Sequence, residues 1–185
     1  MTTSHPIVPA AAEHRDELIT FLGAVENADQ TFLGAHATEQ STIDRIVRQD
    51  GGRHYIAHSN PDAGGPNVVV GFSSVTAGSG WSRHVGQLRV VVDPSARGTG
   101  LGGQLALAAL AGAHECGLEK VVVDVRSDQE PVQNLFVQLG FRPEALLTDH
   151  LKGPDGVTYD LLTLAHRVEE VGGLLVATGI AQAPA

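Results

Sequence analysis

Four glycines fall within six residues, Gly98, Gly100, Gly102 and Gly103, directly after Arg97 and overlapping an apolar run from Leu101 to Leu110. Glycine lets backbone come close to a ligand, and the first N–H groups of a helix have no partner inside it. Such donors, with the helix dipole behind them and a positive charge alongside, make a phosphate site. Just upstream, Val90-Val91-Val92 reads as a buried β-branched strand, and Asp93-Pro94 ends it because proline has no N–H to give a ladder. Strand, short turn, glycine loop and helix N-terminus are thus written into one stretch, Gln87 to Gly103.

Two anion-binding designs share this pattern. Gly98, Gly100 and Gly103 satisfy G-x-G-x-x-G, and Asp124 follows about 20 residues on, as a dinucleotide fingerprint asks. Against that reading, Asp93 to Arg97 separate the strand from the first glycine, and only about 60 residues follow Asp124, too few for a doubly wound sheet with a substrate domain. The other design fits better. Arg97-Gly98-Thr99-Gly100-Leu101-Gly102 matches R/Q-x-x-G-x-G/A, and a second block from Val121 to Phe141 ends in Leu139-Gly140-Phe141. On these two blocks, which together with the strand before them span about 55 residues, the chain resembles the GNAT N-acetyltransferases.

The resemblance implies acetyl-CoA as cosubstrate. It implies that Arg97, Gly98, Thr99, Gly100, Leu101, Gly102 and Gly103 hold the pyrophosphate, and that Val90, Val91 and Val92 offer backbone groups to the pantetheine arm. Gln129 stands where an asparagine is typical and can still hydrogen-bond that arm; Asn134 takes a polar role there or faces solvent. Acetyl transfer to an amine needs a polarised carbonyl and removal of a proton from an amine whose pKa is about 10.4. The departing thiol, with a pKa near 8.5, leaves tolerably unaided. In the branch that acetylates ribosomal-protein N-termini, a carboxylate matching Asp124 is the base, just ahead of Val125-Arg126. The same aspartate also suits a strand-end ion pair with Arg126 or Arg89. His84 is a second candidate base, because histidine titrates near working pH. Many relatives carry an acid where Gln87 stands, which closes that route here. The usual tyrosine acid is replaced by Phe136, which can pack on the cosubstrate but donates nothing. Tyr159 is a candidate substitute. The missing phenol and Gln87 also motivate a rival reading: an acetyl-CoA-binding module with little activity, a sensor or partner subunit.

The chain that must position these groups has 185 residues, 42% hydrophobic and 18% charged, enough for one domain with a real core. The net charge of −9 argues against nucleic acid and is compatible with a cationic amine acceptor. A single cysteine, Cys116, excludes an internal disulfide. No stretch of eighteen apolar residues predicts a membrane span, and residues Met1 to Pro9 lack a signal-like pattern, so a cytoplasmic location is the default. His54 and His58 lie four apart on a predicted strand, about 13 Å from one another, so they do not share a metal ion.

The patterning predicts strands at Ile7-Val8, Arg53–Ser59, Val68–Val75, a fourth ending at Val92, Lys120–Val125, Phe141–Leu147 and Val157–Ala165. Helices are expected over Ala11–Glu26, from Thr38 or Ser41 to about Gln49, over Leu101–Gly117 and from Pro131 to Leu139. The fold class is therefore mixed α/β: a twisted, mainly antiparallel sheet of about seven strands with helices on both faces. Strands four and five, joined through the glycine-loop helix, should be parallel, and the resemblance implies that they splay. The domain is expected to span residues 1–167. Residues 168–185 form an extension whose Leu174, Leu175 and Val176 suggest a homodimer.

Overall fold

The computed structural model describes residues 5–28, 38–59, 68–153 and 155–170. Seven strands form one sheet: β1 (Ile7–Pro9), β2 (Gly52–His58), β3 (Val69–Ala77), β4 (Val85–Val92), β5 (Lys120–Arg126), β6 (Arg142–Lys152) and β7 (Thr158–Arg167). Their spatial order is β1-β2-β3-β4-β5-β7-β6, and only β4 and β5 run parallel. Among the described residues four α-helices cover it: α1 (Arg15–Ala28), α2 (Gln40–Val47), α3 (Leu101–Glu115) and α4 (Glu130–Gln138).

Alternation along the strands divides the core into layers. Ile56, Phe72 and Val91 turn toward α1 and α2 and pack with Leu18, Leu22, Ile43 and Ile46. Val75, Leu88, Val121, Val123 and Val125 turn the other way, against Ala106, Leu110 and Ala113 of α3 and Phe136 of α4. The nearly all-round apolarity of α3 is explained by this position, since it crosses β2, β3 and β4.

The seam between β4 and β5 organises everything that follows. Pairing there is confined to Val85↔Lys120, Gly86↔Val121 and Gln87↔Val122, although β4 continues to Val92 and β5 to Arg126. Each strand is instead held along its length by its other neighbour: β4 by β3 from Gly86 to Val92, and β5 by β7 from Lys120 to Arg126. Two separately anchored half-sheets diverge, and a wedge opens between them.

Several elements differ from the sequence-based boundaries. The first helix opens with a short 3₁₀ turn over Ala12–His14, and α2 begins after Glu39 rather than at Thr38 or Ser41. Strand β6 extends to Lys152, with a register shift between Leu147 and Leu151 around Asp149, whose φ is +52°. Val168 is buried and its N–H donates to the Glu119 carbonyl at 3.0 Å, so the core takes in the first residue of the expected extension. Leu174, Leu175 and Val176 lie outside the described residues, as does the loop at 60–67.

Candidate active site

A cavity of about 490 Å³ fills the wedge, a size ordinary for a small-molecule site. Its walls are Leu88 to Val92 of β4, Val123 to Val125 of β5, the glycine loop, and Gln129, Leu135 and Phe136 at the start of and along α4. The Asp93 N–H bonds to the Val70 carbonyl at 2.9 Å. By strand alternation the amide and carbonyl of Val91 also face β3, whereas those of Val90 and Val92 face the open side where β5 has left. Val91 therefore contributes a side chain to the cavity and no free backbone group, which narrows the sequence-based expectation for the three valines.

At the end of β4 the Asp93 carboxylate accepts from the Ser95 N–H at 2.8 Å and forms a tight 3₁₀ turn. Gly98 and Gly100 then take φ of +75° and +86°, a left-handed conformation that L side chains adopt only at a cost. Gly100 is the N-cap of α3, and no side chain caps the helix. The amides of Gly103 and Gln104 both turn back to the Gly100 carbonyl, at 3.1 and 3.3 Å. Among the described residues, those of Gly98 to Gly102 have no acceptor, and they form the donor array that the loop composition implies. The Arg97 side chain reaches back to the Val92 carbonyl with its Nε at 3.3 Å, leaving its terminal nitrogens exposed at the loop. Thr99 and Leu101 do not line the cavity. The Thr99 hydroxyl closes the turn by donating to the Ala96 carbonyl at 2.7 Å, and the Leu101 side chain is core.

Asp124 lies on the β5 wall of the cavity. Its Oδ1 accepts from the Thr163 hydroxyl at 2.7 Å and its Oδ2 from the Gln87 side-chain amide at 3.2 Å. The carboxylate is fixed by two neutral donors, one from each flanking strand, and each oxygen keeps a lone pair to spare. Gln87 is therefore a clamp on Asp124 rather than a missing acid. Thr163 went unrecognised in the sequence, because only the β5–β7 register puts it opposite Asp124. The Arg126 guanidinium forms a two-pronged pair with Asp128 at 2.7 and 2.8 Å and lies over the Tyr159 ring at 4.0 Å. Arg89 lines the cavity.

The remaining candidates are distributed unevenly. Gln129 lines the cavity, and its Oε1 is buried without a hydrogen-bond partner among the described residues. Phe136 also lines it, 2% exposed and edge-on to Phe141. Asn134 is exposed on α4 and does not reach it. His84 is not brought to the cavity either: it is exposed at the closed end of the seam, where its carbonyl accepts from the Glu119 and Lys120 amides. Tyr159, beneath Arg126 and beyond the end of β5, is likewise outside the cavity walls.

A half-split α/β sheet, with a donor-rich glycine loop at the mouth of the split, defines an acyl-carrier-binding transferase fold. A sequence model of the acetyltransferase (GNAT) family matches residues 24–141, and the chain belongs to that family, whose cosubstrate is acetyl-CoA. The fold is shared with a putative acetyltransferase, yncA, from Salmonella typhimurium, solved with acetyl-CoA: TM-score 0.76 and 20% identity, covering 90% of this chain and 95% of that one. It is also shared with a GNAT-family acetyltransferase from Streptococcus pneumoniae, with TM-score 0.73 and 18% identity over 89% of this chain and 99% of that one. In sequence, the chain is 36% identical over 83 residues to a mycothiol acetyltransferase of Nocardia farcinica, covering 44% of this chain and 27% of that protein. It is 44% identical over 68 residues to that of Saccharomonospora viridis, covering 36% and 22%. The chain thus spans about a quarter of the length of these curated relatives. Among the described residues no helix is long and apolar enough to cross a membrane.

Proposed function

We propose that the chain is an N-acetyltransferase that carries the acetyl group of acetyl-CoA directly to a primary amine, of a small molecule or a protein, within one ternary complex. The observation that carries this reading is Asp124, held by Gln87 and Thr163 in the wall of the split seam, across which the β4 edge beyond Gln87 is not paired with β5. The residues present fit the cosubstrate: free amides and Arg97 at the loop for a pyrophosphate, an open strand edge and the orphaned Gln129 Oε1 for the amides of its arm. Bound there, acetyl-CoA supplies an acyl group already activated as a thioester.

The chain's own residues do the rest. The free N–H groups of β4 are placed to hydrogen-bond an acyl oxygen as charge grows on it. An unclaimed lone pair of the Asp124 carboxylate receives the proton of the incoming ammonium, directly or through one water. Leu88, Val123 and Phe136 keep water from the apolar part of the cavity. No phenol reaches the cavity, which leaves protonation of the departing sulfur to solvent.

A second reading, a binding module with little turnover, is favoured by that same lack of a phenol, with Phe136 buried against Phe141. The test is free thiol release from acetyl-CoA across a panel of primary amines. Amine-dependent release supports the transferase, whereas tight acetyl-CoA binding with no release above the hydrolytic background supports the module.

A further inference from the structure

A second, smaller cavity of about 140 Å³ lies on the α1/α2 side of the sheet. Its polar walls come from Thr42 and Arg45 of α2, His54 of β2, Ser74 and Thr76 of β3, and Arg89 of β4. Arg89 lines both this cavity and the larger one, so the two share a wall. The register makes this a continuous track. His54 pairs with Ser74 and Ser74 with Arg89, a row across three adjacent strands. One row along, Thr76 pairs with Gln87, and Gln87 holds Asp124. Side chains two apart on a strand share a face and stand about 7 Å apart, so Arg89 projects on the face that carries Gln87 and Asp124.

The chemistry of this track is anion recognition. Two guanidinium groups line a space of this size, and neither Arg45 nor Arg89 has a side-chain hydrogen bond or ion pair among the described residues. His54 is 4% exposed, and both of its ring nitrogens are without a partner there. Burial, with the nearby Arg45 and Arg53 charges adding to it, pushes its pKa down to about 4. The ring is neutral at pH 7. Ser74 and Thr76 add hydroxyls; the acids near the track are Asp50, which acts on His54, and Asp124, held through Gln87. A guanidinium fork matches a carboxylate. Arg45 and Arg89 are exposed, so their charges are open to a ligand arriving from water, with the buried His54 beneath them.

Resting on the transferase reading, we infer that the acceptor is an amino acid-like amine, whose anionic group is held by Arg89 and Arg45 over the buried His54 while its amino group reaches Asp124. Arg89 then acts as a specificity-determining residue, and the distance from its row to Asp124 selects the length of the acceptor.

Calorimetric titration with N-acetylglycine, N-acetyl-β-alanine and N-acetyl-γ-aminobutyrate, each beside its carboxamide, tests this without turnover. At least one acid should bind tenfold or more tightly than its amide, and Arg89→Gln should abolish that preference. Arg45→Gln, on α2 and clear of the larger cavity, should weaken the acid severalfold and leave acetyl-CoA affinity as it was. Equal affinity for acids and amides, or binding of neither, overturns the anionic assignment. So does an Arg89→Gln variant that loses acetyl-CoA affinity yet keeps the acid preference, since the arginine then serves the cosubstrate phosphates. Failure of the wild type to bind acetyl-CoA is a separate result, which overturns the transferase reading and not the carboxylate site.

Discussion

Replacing Asp124 by asparagine separates proton transfer from architecture, because the surroundings can accept the new amide. The Thr163 hydroxyl that donates at 2.7 Å can rotate to accept, and the Gln87 amide at 3.2 Å can turn to present its oxygen. The side chain keeps its shape, and two hydrogen bonds to a charged group become neutral ones. The stability cost is about 1 kcal/mol, a fall in Tm of about 2–4 °C for a chain of this size. The kinetic cost is much larger. Losing a positioned general base costs about 10²–10⁴-fold, or about 2.7–5.4 kcal/mol of barrier. An alkyl amine with a pKa of about 10.4 is almost wholly protonated at neutral pH. The gap between wild type and Asp124→Asn should therefore be widest near pH 7 and close as the amine's own pKa is approached. The assay is thiol release against pH with acetyl-CoA saturating, alongside a thermal melt of each protein. Superimposable pH profiles would falsify the assignment of Asp124 as base and leave it a strand-wall residue. A variant that also loses acetyl-CoA affinity would show that the carboxylate holds the seam open rather than moving a proton. Thr163→Val, which frees one carboxylate oxygen and leaves the base in place, should cost about tenfold, well short of the asparagine change.

Three further outcomes follow from the loop and the buried histidine. Gly100→Val places a β-branched residue at a φ of +86° with open space beyond it, so acetyl-CoA affinity should fall at least tenfold while the fold loses about 1–2 kcal/mol; unchanged affinity by calorimetry would remove the loop from the binding site. Arg97→Ala should weaken CoA more than pantetheine, which lacks the phosphates, and equal losses would mark the Arg97 contact with the Val92 carbonyl as purely structural. His54 has a folded pKa of about 4, below its unfolded value of 6.5, so the unfolded chain binds the extra proton. Its contribution to stability is complete above pH 6.5 and is lost as the pH falls toward 4, on the order of 2 kcal/mol by pH 4.5. Urea midpoints at pH 7 and 4.5 that differ no more in wild type than in His54→Gln would refute this.

The shape of the glycine loop was legible because it is set by backbone torsion. Gly98 and Gly100 are written into the sequence by their torsions, Pro94 by its missing N–H, and Arg97 by its charge, and none of these depends on a distant partner. The strand pattern of β2 to β5 was legible for a similar reason, since period-two alternation records which side faces each core layer. The site on the other side of the sheet is of a different kind. Gln87 looked inert and Thr163 was silent until β4, β5 and β7 met in register around Asp124. Tyr159 looked available until its ring was found under Arg126, and His84 until the seam proved closed at its end. The row His54, Ser74, Arg89 spans 36 residues of chain and becomes one wall only across three strands. Local torsion and hydropathy act on neighbours in sequence and can be read there. Register is settled by where whole strands bury their apolar faces, and it alone decides which polar side chains meet.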